Sequence, residues 1–166
     1  MSVSDHERHG SEQIVFEEYL EVGFNYRLTD VQAAMGRVQL KGLDDRLRTR
    51  RDLAEQYGKM ILQRGDVLPP HEPEWAKSNW QSYCVILPTE VSQKSVMQQM
   101  LNRGISTRRG VMCAHLEPAY ATEIVRAPLE RSQKARDRGV ILPLFEALTK
   151  NDLERVVDEL HDAVQI

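Results

Sequence analysis

The sequence predicts an α/β fold: a small sandwich in which helices cover one sheet, entered through a long helix. Three observations carry this. Short β-branched runs, Ser82–Leu87 and Val140–Leu142, alternate with segments of helical period. Glycine or proline punctuates the junctions between them. The last segment places Leu153, Val156, Val157, Leu160 and Val164 on one stripe, as a helix lying on a core requires.

In chain order, residues 1–22 are polar, with a short apolar patch at Ile14-Val15-Phe16 that reads as a brief strand at most. Thr29-x-x-Gln32 is a capping box, so a helix starts there. Apolar residues then recur at helical spacing from Val31 to Ile61, and Gly65 is the natural stop. One helix over 29–65 would be roughly 50 Å long, enough to link two domains. Gly36 beside Ala33 and Ala34 predicts close approach by another element. That stripe and the Ile14–Phe16 patch are expected to face a neighbouring domain. Prolines 69, 70 and 73 make the stretch to Asn79 irregular, and Ser82–Leu87 is a strand. Ser92 caps a helix carrying Val96, Met97, Met100 and Leu101, closed by Gly104, and Ile105–Arg108 is a short strand. Pro118 opens a short helix. A polar helix over Leu129–Arg138 ends at Gly139, ahead of the strand Val140–Leu142, and Thr149 caps the final helix.

Hydrophobic residues at 41% and charged residues at 28% suit a packed globular core. A net charge of −3 gives no general attraction to nucleic acid or anionic membrane, and no apolar run reaches spanning length. The polar N-terminus is not expected to be a signal peptide. Cys84 and Cys113 suggest no disulfide framework, so a cytoplasmic location is expected. His6-x-x-His9 and Cys113-x-His115 lack the further ligands of a metal site, and none is expected. Arg46, Arg48, Arg50 and Arg51, interleaved with Asp44, Asp45 and Asp52, read as a solvated helix face.

Two clusters could carry chemistry. Asn25-Tyr26-Arg27 stands just ahead of a helix start, where a guanidinium fork and a carboxamide can meet a phosphate or carboxylate. The same residues also fit a turn with a surface ion pair. The stretch from Ile105 to His115 holds Arg108, Arg109 and His115 around a loop, suited to a diphosphate or sugar, or equally to a solvated strand end with a packed histidine.

The run Gly23-Phe24-Asn25-Tyr26-Arg27-Leu28-Thr29-Asp30, with Gln32-Ala33-Ala34-Met35-Gly36 and Gln39-Leu40 after it, resembles the DegT/DnrJ/StrS-type sugar aminotransferases. Further matches keep register along nearly the whole chain: Arg8-His9-Gly10, Arg50-Arg51, Gly104-Ile105-Ser106-Thr107, His115-x-x-Pro118-Ala119-Tyr120, Leu142-Pro143-Leu144 and Leu148-Thr149. The resemblance implies a pyridoxal phosphate (PLP) enzyme that moves an amino group from an amino acid to a keto-sugar nucleotide, in surface polysaccharide or secondary-metabolite sugar synthesis. It implies a homodimer in which Asn25 reaches the partner's cofactor phosphate, with Tyr26, Arg27, Arg108 and His115 on the substrate side. Gly110-Val111 stands where many members carry a histidine or aromatic pair, so the sugar is not specified.

By the same resemblance, residues 1–28 are a remnant of the large PLP-binding domain, 29–65 a linking helix and 66–166 the small C-terminal α/β domain. The cofactor lysine and its partner carboxylate would precede Gly23. Lys41, Lys59, Lys77, Lys94, Lys134 and Lys150 stand in no such context. No catalytic residue is assigned, Met1 is expected to be internal, and the chain alone is expected neither to bind PLP nor to turn over. Two other classes compete. One is a helix-turn-helix DNA-binding regulator, which needs a turn near Gly36. The other is a non-catalytic α/β interaction module, with residues 1–40 folded onto the rest.

Overall fold

Thr29 opens the first helix with a reciprocal cap. Its hydroxyl accepts from the Gln32 N–H at 3.3 Å, and the Gln32 carboxamide oxygen accepts from the Thr29 N–H at 3.0 Å. This computed structural model describes residues 10–16, 18–110, 112–122 and 127–165. Met1, His6, Arg8, His9 and Val111 lie outside the described residues.

The helix expected over 29–65 is two helices, α1 (Asp30–Leu40) and α2 (Leu43–Arg64). The Lys41 and Gly42 N–H groups bond back three residues, to Val38 and Gln39 carbonyls at 3.2 Å each, which tightens and ends α1. Gly42 then stands at φ −101° and ψ 10° as a cap with no side chain to offer. Its weak helix propensity makes it the place where the chain turns. The stop at Gly65 holds: it adopts φ 80° and donates to the Ile61 carbonyl at 3.0 Å.

Strand β1 (Tyr83–Ile86) leads to α3 (Gln93–Asn102), capped by the Ser92 hydroxyl. Gly104 at φ 76° closes α3 with paired bonds, Ile105 N–H to Met100 O and Gly104 N–H to Leu101 O, both 2.9 Å. Because Ile105 is spent on that closure, the next strand begins later than expected, as β2 (Arg108–Arg109). Two single 3₁₀ turns follow, Ala114–Leu116 and Pro118–Tyr120. Then come α4 (Glu130–Arg138), β3 (Gly139–Leu142) and α5 (Lys150–Val164), the last with a Thr149–Asp152 capping box. Residues 14–16 form no strand.

The sheet order is β1-β3-β2, with both pairings antiparallel. Strands β1 and β2 therefore run parallel to each other, joined through α3 and separated by β3, a split β-α-β unit. Val85 stands opposite Val140 and Tyr83 opposite Leu142, and all four are buried. They meet Leu53, Tyr57 and Ile61 of α2, Val96 and Met100 of α3, and Leu153, Val157 and Leu160 of α5 in one core. The Tyr57 ring lies 5.1 Å from that of Tyr83, and its hydroxyl donates to the Pro143 carbonyl at 2.9 Å. Burial raises the pKa of both phenols.

Helix α4 runs into β3 without a loop, and glycine makes that possible. A Cβ on Gly139 would lie 2.5 Å from the Ala135 carbonyl oxygen and 3.1 Å from Cys84 Sγ. Gly110 crosses there, its N–H donating to the Gly139 carbonyl at 2.7 Å. The buried Gln93 carboxamide completes the joint by donating to the Arg136 and Gly139 carbonyls at 2.8 and 2.7 Å.

Candidate functional site

The Asn25-Tyr26-Arg27 cluster is a structured turn. The Asn25 carboxamide oxygen accepts from the Arg27 N–H at 2.9 Å, and Arg27 adopts φ 66°. A non-glycine residue there carries about 1–3 kcal/mol of backbone strain. With its oxygen used inside the turn, Asn25 keeps its NH₂ group as the donor for a ligand. Phe24 stands edge-on to Tyr26 with ring centroids 6.5 Å apart, and the two are 82% and 87% exposed. Thr29 and the positive end of α1 follow directly.

This turn sits on a long apolar surface. Leu20, Val22 and Leu28 are exposed, as are Val31, Met35, Val38 and Leu40 of α1, a helix that buries no residue. Nothing lies within 4 Å of where a Gly36 Cβ would be, so no described element makes the close approach that its small-residue stripe predicts. The expectation for Ile14-Val15-Phe16 is corrected. Ile14 packs on the core beside α3, and Phe16 lies under the Arg109 guanidinium at 5.0 Å.

The second cluster divides. Along β2 successive side chains point to opposite faces, so Arg108 shares a face with Ile141 and Arg109 with Val140. Arg108 lines a groove of about 460 Å³ with Ser106, Ile141, Pro143, Phe145 and Arg155. Arg109 turns toward the 3₁₀ turns, 4.0 Å from the buried Glu117 carboxylate. His115 Nε2 lies 3.2 Å from the Gln133 carboxamide nitrogen of α4. As placed, that amide donates, which puts the imidazole proton on Nδ1. Among the described residues, no hydrogen bond or ion pair joins Asn25–Arg27 to Arg108 or His115.

Sequence reasoning missed Arg109, Glu117 and Phe16 as partners, and no local signal could have found them: the carboxylate and its backbone donor, Tyr19, are 98 positions apart. The reading of Arg50 and Arg51 as solvated is also corrected. Arg50 donates to the Trp80 and Gln81 carbonyls at 3.2 and 3.3 Å and pairs with Glu146, while Arg51 donates to the Ser78 carbonyl at 3.1 Å. Together they bracket the loop ahead of β1. Arg48 lies on the solvated face expected of it, paired with Asp45.

Compared with known proteins, residues 2–161 match the DegT/DnrJ/EryC1/StrS aminotransferase family. The chain belongs to that family. It is 34% identical over 137 residues to the dTDP-4-dehydro-2,3,6-trideoxy-D-glucose 4-aminotransferase of Saccharopolyspora spinosa, covering 82% of this chain and 34% of that protein. The aminotransferase TlmJ from Streptoalloteichus hindustanus superposes with a TM-score of 0.71 at 28% identity, over 82% of this chain and 36% of the other. Spr1654 from Streptococcus pneumoniae, in its PMP form, gives 0.71 at 20% identity over 84% and 36%, a likeness of fold. The chain thus spans about a third of the length of these relatives.

The DegT/DnrJ/EryC1/StrS family is one of PLP-dependent aminotransferases, and the residues present fit one part of that cofactor. The Asn25 NH₂, left free by the turn, is an amide donor of the kind a phosphate takes. Two of the lysines are engaged on helix surfaces, Lys59 with Glu55 and Lys150 with Glu154. Among the described residues no three His, Cys, Asp or Glu side chains form a metal site, and no helix is long and apolar enough to cross a membrane. Helix α1 continues straight through Gly36, so the helix-turn-helix alternative fails on its own criterion. Of the segment 1–40 that a self-contained interaction module would fold onto the rest, the described residues split: Ile14 and Tyr19 dock on the small domain, whereas Leu20 to Leu40 do not.

Proposed function

We propose that this chain supplies the small-domain and interface part of a cytoplasmic aminotransferase that acts on a keto-sugar nucleotide with PLP, as a homodimer. The observation that carries it is the exposed Asn25–Arg27 turn, held by its own Asx bond at the head of a helix with no buried face. A turn so braced, on so apolar a surface, is built to meet another protein surface. The Saccharopolyspora spinosa relative is named for a dTDP-linked keto sugar, which supports the substrate class.

In this reading the Asn25 NH₂ donates to the cofactor phosphate of the neighbouring subunit. Tyr26, Arg27, Arg108 and His115 serve the nucleotide-sugar side, and Arg27 supplies charge where the α1 N-terminus already favours an anion. PLP, when bound, supplies the electron sink through which an amino acid's amino group is moved. The lysine and pyridinium partner come from outside this chain, which assigns no catalytic residue of its own.

The test uses the chain assembled with a lysine-bearing large domain. Asn25→Ala should weaken PLP retention at least tenfold, the loss of one charge-assisted donor at about 1.5–3 kcal/mol. Arg27→Ala should spare the cofactor and damage sugar use. In mixed dimers the defect should sit in the subunit opposite the mutation. Unchanged cofactor affinity in Asn25→Ala would reduce Asn25 to a turn former.

A further inference from the structure

We propose that Glu117 is a positioning residue: with Arg109 it straps residues 12–16 and 18–19 onto the small domain and so sets where the Asn25–Arg27 turn stands, an inference that rests on the role given to that turn above. Two reciprocal clamps hold the strap. At its start, the Gln98 carboxamide accepts from the Ile14 N–H at 2.9 Å and donates to the Glu12 carbonyl at 3.0 Å. This is the pattern by which one strand residue pairs with another, here made by a side chain of α3. At its end, the Tyr19 carbonyl accepts from the Ala119 N–H at 2.9 Å, and the Tyr19 N–H donates to Glu117 Oε2 at 3.3 Å. Between the clamps, Phe16 lies against Arg109.

Glu117 is the hub because it is 6% exposed and its Oε1 has no hydrogen-bond partner among the described residues. A carboxylate is buried this way only when a cation and a donor offset the loss of water. Arg109, at 4.0 Å, supplies the cation, and the strap supplies the donor. Docking of the strap and burial of the charge are therefore coupled. Tyr19 and Asn25 are six positions apart, at most about 22 Å of chain. Among the described residues, no hydrogen bond ties 20–28 to the small domain. Tyr19 is thus the last anchor before the turn, and Glu117 holds it.

The experiment is amide exchange and ¹⁵N relaxation on the 166-residue chain. In the wild type the Ile14, Tyr19 and Ala119 amides should be protected. Glu117→Ala should speed exchange at Tyr19 and Ala119 at least tenfold and loosen residues 23–27, with Val85 and Val140 unchanged. Glu117→Gln, which keeps an acceptor but loses the charge, should restore part of the protection, and it serves if the alanine variant fails to fold. Two results overturn the proposal: Tyr19 exchange and 23–27 mobility that do not respond to either variant, or an equal loss of protection in the sheet, which makes Glu117 a general folding residue. Exchange is read without cofactor or substrate, so failure of the aminotransferase role of Asn25 would leave this result standing.

Discussion

Substituting alanine at Gly139 tests the joint that positions the 110–117 segment. The backbone there, φ −79° and ψ 127°, suits any residue, so the only penalty is steric. Alanine in an allowed backbone normally stabilises by about 0.4–1 kcal/mol through the unfolded state. Against that, the new Cβ would stand 2.5 Å from the Ala135 oxygen, with Cys84 Sγ and Gly110 Cα at 3.1 and 3.2 Å. The carbonyl cannot easily yield, because it accepts the Gly139 N–H that ends α4. Overpacking against backbone costs about 3 kcal/mol, leaving a net loss of about 2 kcal/mol. Gly58→Ala is the matched control. It lies inside α2, and its Cβ would meet only the Tyr83 hydroxyl, at 3.6 Å. It should stabilise by about 0.5–1 kcal/mol. Urea denaturation followed by circular dichroism measures both at constant m-value. If the two variants shift the midpoint in the same direction, or Gly139→Ala stays within error of wild type, the close crossing at Gly110 and Gly139 is wrong.

Tyr57 and Tyr83 are held neutral by burial, so folding binds protons that the unfolded chain releases; stability should be full below about pH 10 and fall as pH rises beyond it. Spectrophotometric titration should show these two of the five tyrosines ionising only on unfolding. At the acid end, hydrogen bonds from the Thr149 hydroxyl and backbone hold the Asp152 carboxyl below its ordinary range. Its contribution should be complete above about pH 4 and lost as pH falls through the lowered value. Thr149→Ala should cost about 1 kcal/mol at neutral pH and flatten that acid limb in pH-dependent thermal melts.

Much of this protein could be read locally. Thr29–Gln32, Ser92, Thr149–Asp152, Gly65 and Gly104 mark helix ends because a cap is satisfied within a few residues of itself. The buried stripe of α5 and the cores of β1 and β3 follow from period alone. The Gly23–Gln39 run already pointed to the aminotransferase family that the comparisons show. The bond geometry of the Asn25 turn was not legible, although its place ahead of α1 was.

What tertiary structure alone decided involves partners far apart in sequence. The break at Gly42 and the closure of α3 on Ile105, by contrast, are made by local bonds three to five residues long. Arg50 and Arg51 look like surface charges until a loop some thirty residues on brings its carbonyls to them. Arg109 and Arg108 are neighbours in the chain and serve opposite faces of the sheet. The meeting of Phe16, Tyr19, Arg109 and Glu117 has no periodic signature. A helix cap or an apolar stripe is encoded by bonds and burial that repeat along the chain, whereas a carboxylate becomes a clamp only when folding removes it from water beside a particular cation and a particular N–H.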